Sequence, residues 1–347
     1  MSLDTASPVR PPVVSVIMAN HNGAAYLAEA IASVRRQSLR ELELIVSDDA
    51  SSDDSVKIIE GAITDDSRIH LVRGAQNSGP ASARNRALAL AKGDWIAVMD
   101  SDDLMHPDRL QTLVQAAERD GADIAADDLV EFDTSSCSAR LLTGKWAREA
   151  FWVDIRDYLR LNMFYGSGPA LGYLKPLFRS SSCIDTTTRY DESLRIGEDF
   201  DLTLRLLQQG MKFKVYPSAL YFYRKHAAST SHRLNEAVLL ALKAANLRFL
   251  ERVREDDPSL VPMVELRNRS IETALAYEQL LHALKHRNLK KALHIAVREP
   301  SAAALLRLPI SVRLSRFWRL SLKSAPERTR HQQSFNKDLS EADREPR

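Results

Sequence analysis

Asp100 and Asp102 flank Ser101 directly after the apolar run WIAVM. In extended chain, residues i and i+2 project to the same side, so the two carboxylates can converge on one oxygen-preferring cation. Magnesium or manganese suits such a pair, because an ion held by one or two carboxylates completes its shell with water and substrate phosphates. A solvated turn with Asx-type hydrogen bonds explains the same residues, but the position behind a strand-like run favours the chemical reading. Asp48 and Asp49 follow a second apolar run, LELIVS. A carboxylate there can accept a hydrogen bond from a nucleobase imide or a ribose hydroxyl, while Ser51 to Asp53 suit helix capping. Gly79, Ala81 and Ala83 permit close backbone approach ahead of Arg84, whose guanidinium can face a phosphate; an ordinary loop entering a helix is the alternative. Gly197-Glu198-Asp199 opens a further helix, where acids meet the helix dipole favourably or where one of them acts as a general base on a rigid element. His226, after YFYRK, is read as a phosphate donor, a metal ligand or a structural histidine.

Positioning these groups together requires a particular scaffold. Val13 to Ala19, Leu42 to Ser47, Ile69 to Val72 and Trp95 to Met99 are short and β-branched, as buried strands are. Helical segments Tyr26 to Gln37, Ser55 to Ile63 and Ala81 to Ala91 alternate with them, which predicts a doubly wound α/β sheet with parallel strands. Asn20 and Asn22, Asp48 and Asp49, and Asp100 to Asp103 then all fall at carboxyl ends of strands, where open α/β sheets bind ligands. The stretch from Cys137 to Thr188 reads as loops and short elements covering one edge of the crevice. A helix follows near Glu198, with Phe200, Leu204 and Leu207 on one stripe and Gly210 as its stop. Strands at Phe213 to Tyr216 and Leu220 to Tyr223 come next, and Glu236 to Arg298 is helical. The residues after 330 are polar.

The 347 residues include 48 basic and 46 acidic side chains, so a net +2 offers no global field for nucleic acid. Twelve Lys or Arg against Glu299 and Glu327 lie between Lys285 and Arg330, a basic tail on a mildly acidic body. Within it LLRLPISVRLSRFWRLSLK mixes apolar and basic residues as an interfacial amphipathic element does, which predicts attachment to an anionic membrane surface. Packing of its apolar side on the catalytic body is the other reading. Cys137 and Cys183 make neither a disulfide framework nor a zinc site, which fits a reducing compartment. No secretory leader or run of about 18 apolar residues appears, so the expected location is cytoplasmic, peripheral on the inner membrane face.

The ordered set VSVIMANHNG, LELIVSDDASSDDS, NSGPASARNRALALAKGDWIAVMDSDDLMHPDRL, IGEDFDL and YRKHAASTS resembles glycosyltransferase family 2, inverting enzymes of GT-A fold with nucleotide-diphospho-sugar donors. The resemblance covers residues 13 to 232 and is similar in tone to bacterial exopolysaccharide glucosyltransferases of the succinoglycan type, acting on lipid-linked oligosaccharides. It implies a GT-A domain over 13–232, with a nucleotide-binding half at 13–130 and an acceptor half at 131–232. A flexible N-terminus at 1–12, a helical basic region at 233–330 and a disordered tail at 331–347 would flank that domain. It implies a UDP-sugar donor, a divalent cation (Mn2+ or Mg2+), and no nucleic acid partner. Asp49 would contact the uracil, Asp100 and Asp102 the ribose and metal-bridged diphosphate, and Arg84 the nucleotide side of the pocket, which Ala19, Asn20 and Ser101 also line. Asp199 would take the acceptor proton, and His226 would meet the diphosphate or the metal beside Asp102. Ala19 and His21 depart from the family pattern, which commonly has a hydroxyl residue and an aromatic there. The Gln-x-x-Arg-Trp signature of processive synthases is absent. A nucleotidyltransferase and a non-catalytic carbohydrate-binding scaffold are the rival classes. The first would show a basic Gly-rich loop after its first strand, and the second would lack the acids.

Overall fold

Residues 11–133, 137–182, 189–226 and 234–307 are described in a computed structural model. From Val14 to Asp100 strands and helices alternate: β1 (Val14–Asn20), α1 (Ala24–Arg35), β2 (Leu42–Asp48), α2 (Ser55–Asp65), β3 (Ile69–Arg73), α3 (Pro80–Leu88) and β4 (Trp95–Asp100). β1 pairs in parallel with both β2 and β4, and β2 with β3. Apolar side chains of β1, β2 and β4 are almost wholly buried, as strands covered on both faces must be. The register sets Asn20 opposite Asp48, and Ala19 opposite Asp100, so the polar strand ends gather at one edge.

The chain continues through β5 (Leu104–Met105), α4 (Arg109–Asp120), β6 (Ile124–Phe132), β7 (Cys137–Arg140), β8 (Phe151–Val153), α5 (Ile155–Leu161), β9 (Leu177–Arg179), α6 (Glu198–Gln208) and β10 (Phe213–Arg224). The sheet runs β3-β2-β1-β4-β9-β6-β10-β5, with β7 on β6 and β8 on β10. Two expectations need correction. The Cys137 to Thr188 stretch is not confined to an edge, because β9 inserts antiparallel between β4 and β6; three residues after Pro176 carry too little pattern to announce a central strand. β10 is one strand rather than two. Its register on β6 shifts between Tyr216 and Ala219, and again before Tyr221, so a bulge stands where a break was expected.

Helices α7 (Glu236–Asp256), α8 (Val261–Lys285), α9 (Leu289–Arg298) and α10 (Pro300–Ala304) follow. The chain divides into compact units at residues 1–278 and 279–347. Phe249, Leu250, Val253 and Val264 join the main core, and Leu239, Leu242, Ala245 and Ala274 form a second cluster with Leu194. In the second unit α9 buries Ala292 and Ile295 but exposes Leu289, Leu293 and Val297 by about two thirds or more. The amphipathic element from Leu308 onward, the two ends at 1–10 and 331–347, and Cys183 lie outside the described residues. None of the described helices is long and apolar enough to cross a membrane.

Candidate active site

At the carboxyl ends of β1 and β2, Asn20 donates from Nδ2 to Asp48 (3.0 Å) and Ser51 (3.2 Å), while its Oδ1 is buried with no partner. Asp49 is only 2 % exposed. Its Oδ2 accepts the Gly79 amide at 2.7 Å and its Oδ1 accepts Arg86 at 2.6 Å. The carboxylate thus fixes the loop before α3, which turns through Gly79 at φ 95°, a left-handed value that favours glycine. Ala19 lies between Ser47 and Asp100 in the sheet, partly exposed.

A closed ring of charges forms where β4, α3, the loop before β9 and α6 meet. Asp100 accepts Arg84 Nη2 at 2.6 Å through Oδ1, and Lys175 Nζ lies 2.8 Å from its Oδ2. The same lysine donates to Asp199 Oδ2 at 2.9 Å. Arg84 also pairs with Glu198 and lies 3.5 Å from Asp199 Oδ1. That oxygen is buried and makes no hydrogen bond. Arg84 is 3 % exposed and serves three acids, Asp100, Glu198 and Asp199. Burial alone would raise the Asp100 carboxyl, but Lys175 and Arg84 together hold it down at about 2. Burial would lower the Lys175 ammonium, and Asp100 and Asp199 instead lift it well above the usual lysine range. Burial pushes Glu198 up, against the pull of Arg84 and with the push of Asp199.

Gly197 brings the two α6 acids to this ring. Its φ is 85°, and a Cβ there would stand 2.7 Å from Leu242 Cδ2, so both the turn and the packing of α7 demand glycine. Asp199 and Glu198 then occupy the first helical turn, where the helix dipole favours anions.

Beyond Asp100 the chain bends, and Asp102, 31 % exposed in its side chain, meets His226 Nε2 at 2.8 Å. Asp100, Asp102 and Asp103 offer carboxylate oxygens within 4.8 Å of one another. They are not equivalent. Asp103 is fully buried, accepting the Tyr221 hydroxyl at 2.7 Å and the Arg224 amide at 2.8 Å, and Asp100 is committed to the ring. Burial, then the charges of Asp100 and Asp102, push the Asp103 carboxyl well up. Asp102 is the most exposed of the three, and its hydrogen bond with His226 sets a carboxylate and an imidazole, both metal-donor groups, side by side.

The structure gathers Arg84, Asp100 and Asp199 in the charge ring and sets Asp102 against His226, while Asn20 and Asp49 hold the ends of β1 and β2 and the loop before α3. Sequence reasoning missed Lys175 and the supports beneath it. Arg109, fully buried, clasps Asp127 with two nitrogens and donates 2.5 Å to the Lys175 carbonyl. Its guanidinium also covers the Tyr221 ring at 4.8 Å. Two aspartates in the apolar run IAADDLVEF were the available signal, since a buried strand keeps acids only where a cation meets them.

A family model described as "Glycosyl transferase family 2" matches residues 15–181. The succinoglycan biosynthesis protein ExoO of Rhizobium meliloti is 34% identical over 319 residues, 91% of each chain. Among solved structures, S. aureus TarS 1-349 in complex with UDP-GlcNAc superposes with TM-score 0.57 at 17% identity, covering 83% of this chain and 92% of that one. The mannosyltransferase PcManGT of Pyrobaculum calidifontis, in complex with GDP-Man and Mn2+, gives TM-score 0.54 at 17% identity over 90% of this chain and 84% of that one.

Proposed function

Because the chain belongs to glycosyl transferase family 2 and has the GT-A fold, we propose that this glycosyltransferase moves glucose, with inversion, from UDP-glucose to a hydroxyl of a lipid-linked oligosaccharide. The setting is bacterial exopolysaccharide biosynthesis, supported by a relative whose name is that of a succinoglycan biosynthesis protein and which matches over nearly its full length. A UDP donor is supported by the fold shared with a protein solved with UDP-GlcNAc.

The observation that carries the reading is the state of Asp199. One oxygen is held by Lys175, and the other is a buried acceptor with unmet capacity on a rigid helix. A hydrogen bond to the acceptor hydroxyl would meet that capacity, and the carboxylate would then take the proton as the oxygen attacks the anomeric carbon. Attack from the face opposite the departing nucleoside diphosphate inverts the configuration and needs no covalent intermediate. Asp102 and His226 would hold a divalent cation, which supplies counter-charge to the diphosphate. Ala19, Asn20, Asp49 and Ser101 shape the nucleotide side, Asp49 chiefly by fixing the Gly79 loop. Arg84 and Lys175 keep Asp100 ionised and hold both Asp100 and Asp199 in place. A nucleotidyltransferase is disfavoured by the absence of basic residues in ANHNGAAY, and a non-catalytic scaffold by the retention of all the acids.

A screen of UDP-, GDP- and TDP-sugars for donor hydrolysis and transfer tests the reaction class. Asp199→Asn should lower turnover by about 10² to 10⁴ while leaving donor affinity little changed. Near-normal turnover would return Asp199 to a helix-dipole role and pass the base to Glu198.

The reading also includes attachment to an anionic membrane surface through the basic region. Leu289, Leu293 and Val297 form an exposed i, i+4, i+8 stripe on α9, with Lys285, Arg287, Lys290, Lys291 and Arg298 around it and no acid before Glu299. Each basic residue near such a surface contributes at most about 1 kcal/mol, so the attachment is reversible and salt-sensitive.

A further inference from the structure

Between α6 and α7 a cavity of about 210 Å³ is lined by Arg189, Arg205, Arg248 and Arg252 together with Asp191 and Asp201. Phe249 and Ala245, both nearly buried, make part of its lining. Two of the arginines are anchored. Arg205 is held by Asp201 at 2.9 Å and by the Arg189 carbonyl at 2.6 Å, and Arg248 is held by Asp191. Arg189 and Arg252 have no carboxylate within ion-pairing distance among the described residues. Arg252 has Glu255 and Asp256 one turn ahead on the same helix, yet Asp256 instead accepts Gln208 at 3.0 Å.

Among the described residues the lining sets two acids against four guanidiniums, of which Arg189 and Arg252 are exposed, so its excess charge is positive. Arg248 and Arg252 are moreover i, i+4 neighbours on α7, a like-charge arrangement that weakens a helix by about 0.2–0.5 kcal/mol. An arrangement that disfavours the empty state and presents planar, partly pre-anchored forks to one concavity is built for a planar or tetrahedral oxyanion.

We propose that this cavity binds a phosphate-class dianion, at a site separate from the nucleotide pocket. Two sources share that chemistry: a free phosphate, and the phosphate group of a lipid-linked acceptor. The second rests on the acceptor class proposed above, whereas the site itself does not. Arg189 and Arg252 would supply the neutralising charge, and Arg205 and Arg248 the fixed donors.

The test follows thermal unfolding of the full chain with saturating UDP and Mn2+, so that the nucleotide pocket is filled. Inorganic phosphate is titrated against sodium chloride of equal ionic strength, and geranyl diphosphate is titrated in parallel. Phosphate or the prenyl diphosphate should raise the midpoint beyond the chloride control. Arg189→Gln combined with Arg252→Gln should weaken that binding by about a hundredfold, about tenfold for each charge-assisted contact, with UDP affinity unchanged. A gain with phosphate alone assigns a free anion, and a larger gain with geranyl diphosphate assigns the acceptor. No gain from either ligand, or an equal gain in the double variant, overturns the site whatever the sugar-transfer assays report.

Discussion

Replacing Lys175 by methionine removes one charge and leaves side-chain length and apolar stem largely intact. In the native protein its ammonium lies 2.8 Å from Asp100 and 2.9 Å from Asp199, and the side chain is 9 % exposed. Removing one partner of a buried ion pair typically costs about 3–5 kcal/mol, because the remaining charge is left uncompensated. Two features reduce that here: Asp100 keeps Arg84 at 2.6 Å, and a quarter of its side chain reaches solvent. About 2–4 kcal/mol of destabilisation is therefore expected, which moves the midpoint of a unit this size by roughly 5–12 °C. Urea unfolding followed by tryptophan fluorescence, to which Trp95, 1 % exposed at the start of β4, contributes from the core, reads the change. Lys57→Met is the control, since its pair with Asp54 is 81 % and 71 % exposed and is screened by solvent, so its loss should leave stability nearly unchanged. Combining Lys175→Met with Asp199→Asn removes the stranded charge, so the pair of changes should cost less than the sum of the singles by about 1–3 kcal/mol. A Lys175→Met variant as stable as the Lys57→Met control, or strict additivity in the cycle, would refute the charge ring as a coupled unit.

Four further outcomes follow from the same geometry. Asp102→Ala should abolish manganese-dependent UDP binding in calorimetry while unfolding at nearly the parent midpoint, because a partly exposed strand-end carboxylate adds little to the core; unchanged binding would remove Asp102 from the cation site. Gly197→Ala combines a left-handed backbone with a 2.7 Å approach to Leu242, so a loss of about 2 kcal/mol or more in urea unfolding is expected, and Leu242→Ala in the same chain should restore turnover in part. Asp127→Leu strands the buried Arg109 guanidinium and should cost about 3–5 kcal/mol, whereas a loss below 1 kcal/mol would show that Arg109 finds another partner. Leu293→Glu with Val297→Glu should leave the protein in the supernatant when anionic liposomes are sedimented at low salt, conditions under which the parent chain pellets; equal recovery of both proteins counts against the α9 stripe as the contact.

The nucleotide half was legible because its signals are local. β1, β2 and β4 each combine an unbroken β-branched run with polar residues immediately after it, and parallel pairing then carries Asn20, Asp48 and Asp100 to one edge without further information. Asp199 was legible for the same reason, standing just behind the glycine that starts a well-patterned helix. Lys175 was not. Its importance arises from a contact 75 residues away in sequence with Asp100 and from a carbonyl fixed by Arg109, and nothing in GYLKPLF distinguishes a buried lysine from a solvated one. The partners of Arg84 were hidden on similar grounds. Spacing put it near phosphates, and the three carboxylates that reach it are supplied by β4 and α6.

That competition bears on how a site so rich in acid is assembled. Among the described residues Asp100, Glu198 and Asp199 face Arg84 and Lys175, so the ring retains one negative charge, and the carboxylate of Asp102 stands beside it. Close like charges in a partly desolvated cleft are unfavourable, by several kcal/mol at an effective dielectric near 20 and separations of about 4–5 Å. Arg84 and Lys175 thus stabilise the fold without neutralising the site, and the excess remains on the side of Asp102, where solvent has access. A divalent cation held there, as proposed, would reduce that excess. The ammonium and guanidinium stand between Asp100 and Asp199, where they would keep a bound cation from competing for the carboxylate proposed as the base.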